Sequence, residues 1–277
     1  MIHRHEANGA NMPAIGFGTW TLKGEEAARL VKHAIDVGYT HIDTAAMYEN
    51  EEAVGEGIRA AGKSREDIFL TSKVWSSDIA DGDLQRSIEA SLQRLGYDYL
   101  DLALIHWPSK SIPLADSIKA LNEVHSSGMA RNIGVSNFPT ALIQEAVELS
   151  PQPLACNQVE YHPCIDQDKV LAKCREHGMA VISYCPLFRG GDIFDDELVT
   201  AIAANHGKTP AQVILRWHMQ QDGVGAIPRS TNPGRIRENL DVMDFALSHD
   251  DMSRLSAMRS RNERICDFEF SPEWDPV

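Results

Sequence analysis

The chain has no Cys-x-x-Cys pair, and its five cysteines, Cys156, Cys164, Cys174, Cys185 and Cys266, are odd in number and scattered. That argues against a disulfide framework or a zinc ribbon and suits a reducing cytoplasm. No apolar run approaches the roughly 20 residues of a membrane-spanning helix. The start, Met1-Ile2-His3-Arg4-His5-Glu6, lacks the apolar stretch of a signal peptide. Basic residues are in deficit: 26 Lys and Arg against 40 Asp and Glu leave a formal charge of −14. Such a field repels nucleic acid and anionic membranes, so neither is an expected partner. The only metal-like spacing, His3-x-His5, is expected on a polar hairpin face, and no metal site is expected. No linker or low-complexity tract divides the chain.

What is present is a repeating unit: an amphipathic helix, a glycine, then a short apolar strand. Leu84, Ile88, Leu92 and Leu95 lie at helical spacing, Gly96 follows, and Tyr99 to Ile105 reads as a strand. The same order brings Gly38 before a strand ending at Asp43, Gly62 before one ending at Lys73, and Gly128 before Ile133-Gly134-Val135. It continues with Ala155 to Gln158, with Ala180 to Tyr184 after Gly178, and with Val224 to Ile227 after the helix that Thr209-Pro210 opens. With Ile15-Gly16-Phe17-Gly18 first, the strands number eight, which predicts an α/β fold, a (β/α)8 TIM barrel, over residues 1–277 as one domain. Residues 1–14 are expected to form an N-terminal hairpin plugging the floor. The alternative, an open doubly wound sheet, needs a phosphate-binding glycine loop, and Gly16-Phe17-Gly18-Thr19-Trp20-Thr21 lacks the third glycine.

Barrel chemistry sits at the carboxyl ends of strands. Asp43, Lys73 and His106 end the second, third and fourth strands, and Tyr48 lies in the turn after Asp43. A lone Asp or Lys there is ordinarily a cap and a lone Tyr or His ordinarily packing, but four such groups on neighbouring strands form a constellation. Reducing a carbonyl by hydride leaves an alkoxide that needs a proton. Tyr48 is the candidate acid, at an unperturbed pKa of about 10. Lys73 is expected to lower that value and Asp43 to hold Lys73 charged, while His106 would donate to the carbonyl oxygen.

The chain resembles the aldo-keto reductase family, in its short bacterial type similar to 2,5-diketo-gluconate and methylglyoxal reductases. The resemblance rests on Gly16-Phe17-Gly18-Thr19-Trp20, Asp43-Thr44-Ala45-Ala46-Met47-Tyr48, Thr71-Ser72-Lys73 and Asp101 to Pro108. It extends through Gly134-Val135-Ser136-Asn137-Phe138, Asn157 to Pro163 and Ile227 to Pro233. It implies a catalytic tetrad of Asp43, Tyr48, Lys73 and His106, an NADP-dependent oxidoreductase reducing aldehydes and ketones, and a monomer. It also implies cofactor contacts: Arg229, Ser230 and Arg235 on the 2′-phosphate of NADPH, Glu238 and Asn239 near adenine, and Ser136, Asn137 and Gln158 on the carboxamide. Tyr184 would stack on nicotinamide. Gly18, Thr19, Trp20, Asp43, Pro186, Leu187 and Ile227 complete the set, with Cys185 to Gly191 as a loop over the pyrophosphate.

Trp20, Met47, Trp75 and Trp107, with Tyr48 and His106, are expected to line a mouth for a small carbonyl substrate. Short connections after His106 and Tyr184 imply an open mouth, over which Phe268, Phe270 and Trp274 of the tail would close. Two rivals differ in class: a Schiff-base lyase using Lys73, and an NADPH-binding sensor or accessory protein with little turnover.

Overall fold

A computed structural model describes residues 3–276 of the chain. The first hairpin joins β1 (Arg4–Ala7) to β2 (Ala10–Pro13), antiparallel across Asn8-Gly9. Both turn residues have positive φ, 48° and 87°, the backbone of the two-residue turn that Asn-Gly favours.

Units of strand and helix follow: β3 (Phe17–Gly18), α1 (Gly24–Val37), β4 (His41–Asp43), α2 (Glu51–Ala60), β5 (Phe69–Val74) and α3 (Asp83–Leu95). Next come β6 (Leu100–Ile105), α4 (Leu114–Ser126), β7 (Ala130–Ser136), α5 (Thr140–Leu149), β8 (Leu154–Glu160) and α6 (Asp168–Glu176). The last are β9 (Ala180–Tyr184), α7 (Glu197–His206), α8 (Pro210–Met219), β10 (Val224–Ala226), α9 (Pro233–Leu240) and α10 (His249–Ala257). Strands β3 to β10 pair in parallel in chain order as an eight-stranded sheet. Ile15 bridges Ala226 in parallel, and Gly18 N donates to Pro228 O at 3.1 Å, joining first strand to last. A Cβ on Gly18 would lie 2.8 Å from Ile227 O, so the seam needs glycine. This is the (β/α)8 barrel that the alternation predicts.

Most barrel strands are buried along their length, as parallel strands covered on both faces must be. Inside, Phe69, Leu102, Leu104, Cys156 and Ile182 pack onto Ala7, Ala10 and Met12, so the hairpin does plug the floor. The larger apolar cluster lies between sheet and helices; α1 contributes Ala27, Leu30, Val31, Ala34 and Ile35, one helical face.

Three details depart from expectation. His5 is buried, not on a polar face, and its Nε2 lies 2.7 Å from Val224 O, so its job is to seal the floor. Among the described residues no three potential metal ligands converge. The connection after Tyr184 is not short: it runs through 3-10 turns at Phe188–Gly190 and Asp192–Phe194 before α7. Helices α7 and α10 are additional to the predicted repeat; each starts on a capping side chain, Asp196 for Leu198 N and Val199 N, and Ser248 for Asp251 N. Cys185 is partly exposed, whereas the other four thiols are buried.

Candidate active site

Strands β4, β5 and β6 are neighbours in register, so their carboxyl ends bring Asp43, Lys73 and His106 to one rim. Tyr48 reaches it from the 3-10 turn Ala46–Tyr48. Lys73 Nζ donates to Asp43 Oδ1 at 2.5 Å, to Thr44 O at 2.8 Å and to Tyr48 Oη at 3.5 Å. Its three N–H directions are thereby occupied, and the side chain is fully enclosed. The other Asp43 oxygen accepts from Gln158 Nε2 at 2.8 Å. His106 packs edge-on to Tyr48 and Trp75, with ring centroids 5.6 and 5.2 Å apart.

Burial shifts Tyr48, Lys73 and His106 toward their neutral forms. It pushes the Tyr48 phenol well above 10, with the Asp43 carboxylate adding to the rise. The sequence expectation was a fall caused by Lys73. Asp43 sits so close to Lys73 that it offsets much of the ammonium's field at the phenol, and desolvation wins. Lys73 itself is lowered, by desolvation first, against the opposing pull of Asp43, which was expected to raise it. His106 falls well below 6.5 through burial and then the Lys73 charge, so its ring is neutral at pH 7. A neutral phenol, a neutral imidazole and a caged ammonium make a proton-donating site. Schiff-base chemistry needs a free amine lone pair, and the Lys73 cage offers none toward the mouth.

Several of the expected cofactor residues are hydrogen-bonded to the tetrad or to one another. Asn137, at φ 64°, donates to His106 O at 2.9 Å and accepts from Tyr184 Oη at 2.6 Å. Ser136 Oγ donates to Gln158 O at 2.7 Å. Thr19 Oγ1 donates to Asp43 O at 2.9 Å, and Asn50 ties the same loop down through Thr19 O and Leu22 O; Asn50 was not foreseen. Across the barrel seam, Arg229 donates to Trp20 O at 3.1 Å and to Thr21 Oγ1. Asn232 caps α9, with Ser230 half-buried and Arg235 exposed beside it. Glu238 is held by Thr209 Oγ1 at 2.9 Å, which ties it to the start of α8. Asn239 is buried and its Oδ1 has no partner. Pro186 and Ile227 are buried, and Leu187 is partly so.

The sequence profile described as "Aldo/keto reductase family" matches residues 14–191 and 195–260, most of the chain. The chain belongs to the aldo/keto reductase family. It is 43% identical to the glyoxal reductase of Bacillus subtilis over 259 residues, covering 93% of this chain and 92% of that protein. It is 38% identical to methylglyoxal reductase DkgA of Yersinia pestis over 253 residues, 91% of this chain and 90% of that one. The solved structure of a Bombyx mori aldo-keto reductase in complex with NADP superposes with a TM-score of 0.91 at 32% identity, covering 99% and 98% of the two chains.

In this aldo/keto reductase the tail builds one wall of the mouth. Phe270 lies 5.2 Å from both Trp75 and Trp107, ring to ring, and Trp107 also meets Phe268 and Trp274. Trp107 is consequently only 5% exposed, so its ring backs the tail instead of facing an open mouth. Trp20 and Met47 remain exposed. The tail is pinned at both ends: Ile265 N and Cys266 N donate to Glu160, and Asp275 accepts from Thr140 N and Oγ1. Glu160 was read only as part of a motif; its role depends on residues a hundred positions away in sequence, and no local signal marks it. A separate cavity of about 720 Å³, bounded by Arg4, Lys63, Asp101 and Arg131, lies at the amino ends of the strands, away from this chemistry.

Proposed function

We propose that the protein reduces aldehydes and ketones to alcohols with NADPH, Tyr48 delivering the proton. The observation that carries this reading is the hydrogen-bonded chain Asp43, Lys73, Tyr48 set beside a neutral His106. NADPH fits the residues present. The unpartnered Asn239 Oδ1 is an acceptor for an amino group such as that of adenine, while Arg229, Ser230 and Arg235 supply donors and charge for a phosphate at the start of α9. When bound, the cofactor supplies the hydride. Tyr184, held by Asn137, offers a ring face for nicotinamide, and Ser136, Asn137 and Gln158 offer amide and hydroxyl groups for its carboxamide.

His106 Nδ1 is buried without a partner. Placing the ring proton on Nε2 leaves only an unmet acceptor at Nδ1 and gives an N–H donor for the substrate oxygen. Tyr48 enters the reaction protonated and transfers its proton as negative charge grows on that oxygen. Lys73, kept in place by Asp43, stabilises the phenolate that results. Trp20, Met47 and Trp75, with the tail rings, make an apolar wall for the rest of the substrate. One domain of one chain contains every group named, so a monomer suffices.

Tyr48→Phe should lose turnover by several orders of magnitude while binding NADPH as the parent does. The measurements are NADPH oxidation with aldehydes, dicarbonyls and keto sugars, and cofactor titration by fluorescence. Turnover near the parent level in that variant would refute the assignment. So would equal catalytic efficiency with NADH, for the phosphate contacts. Tight NADPH binding with no turnover of any carbonyl would mark a sensor instead.

A further inference from the structure

Two thiols that the reaction does not use meet where the tail leaves the barrel. Cys185 follows Tyr184 at the end of β9, partly exposed and in the left-handed region at φ 48°. Cys266 opens the aromatic tail. Its backbone N–H and that of Ile265 are each 2.7 Å from the carboxylate of Glu160, fully buried at the end of β8. His162 Nε2 lies 2.9 Å from the same carboxylate. Glu160 and Tyr184 are register partners on adjacent strands, so the clamp delivers Cys266 to the neighbourhood of Cys185, close enough that each thiol shifts the titration of the other. Arg189 joins the pair: its Nη2 is 3.3 Å from Cys266 Sγ, and its guanidinium lies 5.1 Å from the Trp20 ring centroid across the mouth.

We propose that Cys185 and Cys266 form a reversible disulfide under peroxide, fastening the root of the tail to the loop Cys185 to Gly191 and slowing passage of cofactor beneath that loop. The Cys185 sulfur, as thiolate, attacks one oxygen of hydrogen peroxide; the O–O bond breaks and hydroxide leaves, giving a sulfenic acid at Cys185. The Cys266 sulfur then attacks Cys185 Sγ, the S–S bond forms, and the sulfenic hydroxyl departs as water with the Cys266 proton. Two thiols are oxidised and one peroxide is reduced to water.

The surroundings assign these roles. The neighbouring Cys266 thiol first, and then Arg189, outweigh burial and hold Cys185 below the ordinary thiol range, the condition for a nucleophilic thiolate. The nearby Cys185, and burial after it, keep the proton on Cys266. Cys164 and Cys174 are pushed up to about 11 and about 12 by burial, and Cys156 is pushed up too; these are inert packing thiols. The loop carries positive φ at Cys185, Phe188, Arg189 and Gly190, a conformation held by contacts such as the Arg189 bridge. Its effect on NADPH rests on the reading of this loop as the cofactor's cover; the thiol pairing does not.

The test treats the whole purified protein with hydrogen peroxide. Peptide mass spectrometry without reductant should find Cys185 linked to Cys266, with the intact mass lower by about 2 Da. Dithiothreitol should restore both readouts, and Cys266→Ser should abolish the link. Stopped-flow fluorescence should show NADPH release slowed severalfold in the oxidised protein and normal after reduction. Oxygen addition without the linked peptide, or a link between other cysteines, would overturn the pairing. A link that leaves NADPH release unchanged would overturn the control of cofactor passage. Reduced protein that binds no NADPH refutes the cofactor reading of the site, and the linked peptide still reports on the thiols.

Discussion

At the scale of single residues, burial decides the state in which the site waits. Tyr48 is protonated and His106 neutral because desolvation comes first and the nearest charge adds to it, Asp43 at the phenol and Lys73 at the imidazole. This sets a sign for the reverse reaction. Oxidation of an alcohol uses Tyr48 as base, and its deprotonated fraction grows tenfold per pH unit while pH lies below its pKa. The oxidation rate should therefore climb steadily with pH through 7 to 10 and not level off there, because the phenol is held above 10. Reduction, which needs the proton present, should not show that rise. A pH profile of kcat in both directions checks this; an oxidation plateau near neutrality would mean that bound cofactor or substrate lowers the phenol after all.

At the scale of elements, two packing relations control how the site is held. Helix α2 follows Asn50, which ties down the loop around Thr19, and packs against α1 and α3 through glycines. A Cβ on Gly55 would lie 2.0 Å from Leu95 O, so Gly55→Ala must push α2 away from α3. The expected cost is about 1–3 kcal/mol from overpacking, read as a lower urea midpoint with an unchanged m-value. The second relation is the tail against the ring cluster of Trp75 and Trp107. Phe270 touches Trp75, and Trp75 touches His106. Phe270→Ala should widen the mouth, lower KM for bulky aromatic aldehydes relative to small dicarbonyls, and leave NADPH affinity unaltered. Steady-state kinetics on both substrate classes decides it; an unchanged ratio would remove the tail from substrate selection.

At the scale of the whole molecule, buried neutral histidines tie stability to pH. His41 and His218 are lowered to about 4 by burial, while in the unfolded chain they titrate near 6.5. Between about pH 6.5 and about pH 4 the unfolded state thus binds more protons than the native state, and stability falls as pH falls. Their contribution is fully present above that window and lost below it. Thermal denaturation should show Tm dropping across pH 6.5 to 4, and the drop should shrink in His218→Asn. The acidic excess of the surface acts apart from these two sites, and among the described residues no helix is long and apolar enough to cross a membrane.

The sequence by itself determined the barrel and the four residues at its centre. Helix-glycine-strand units repeat with a local period, and strand ends fall where the apolar runs stop, so Asp43, Lys73 and His106 are placed by short-range pattern alone. Local signals also existed for α7 and α10, in Asp196 before Leu198 and Val199 and in Ser248 with Asp251, but each lacked the following strand that marks the other units. Only the tertiary structure decided the rest. Whether Lys73 lowers the Tyr48 phenol depends on the balance of burial against charge, which is set by distances of a few ångströms between separate strands. The enclosure of Trp107 and the approach of Cys266 to Cys185 follow from the tail crossing back over the barrel. That path is fixed by Glu160 and Thr140, far off in sequence, through backbone hydrogen bonds that no periodicity records.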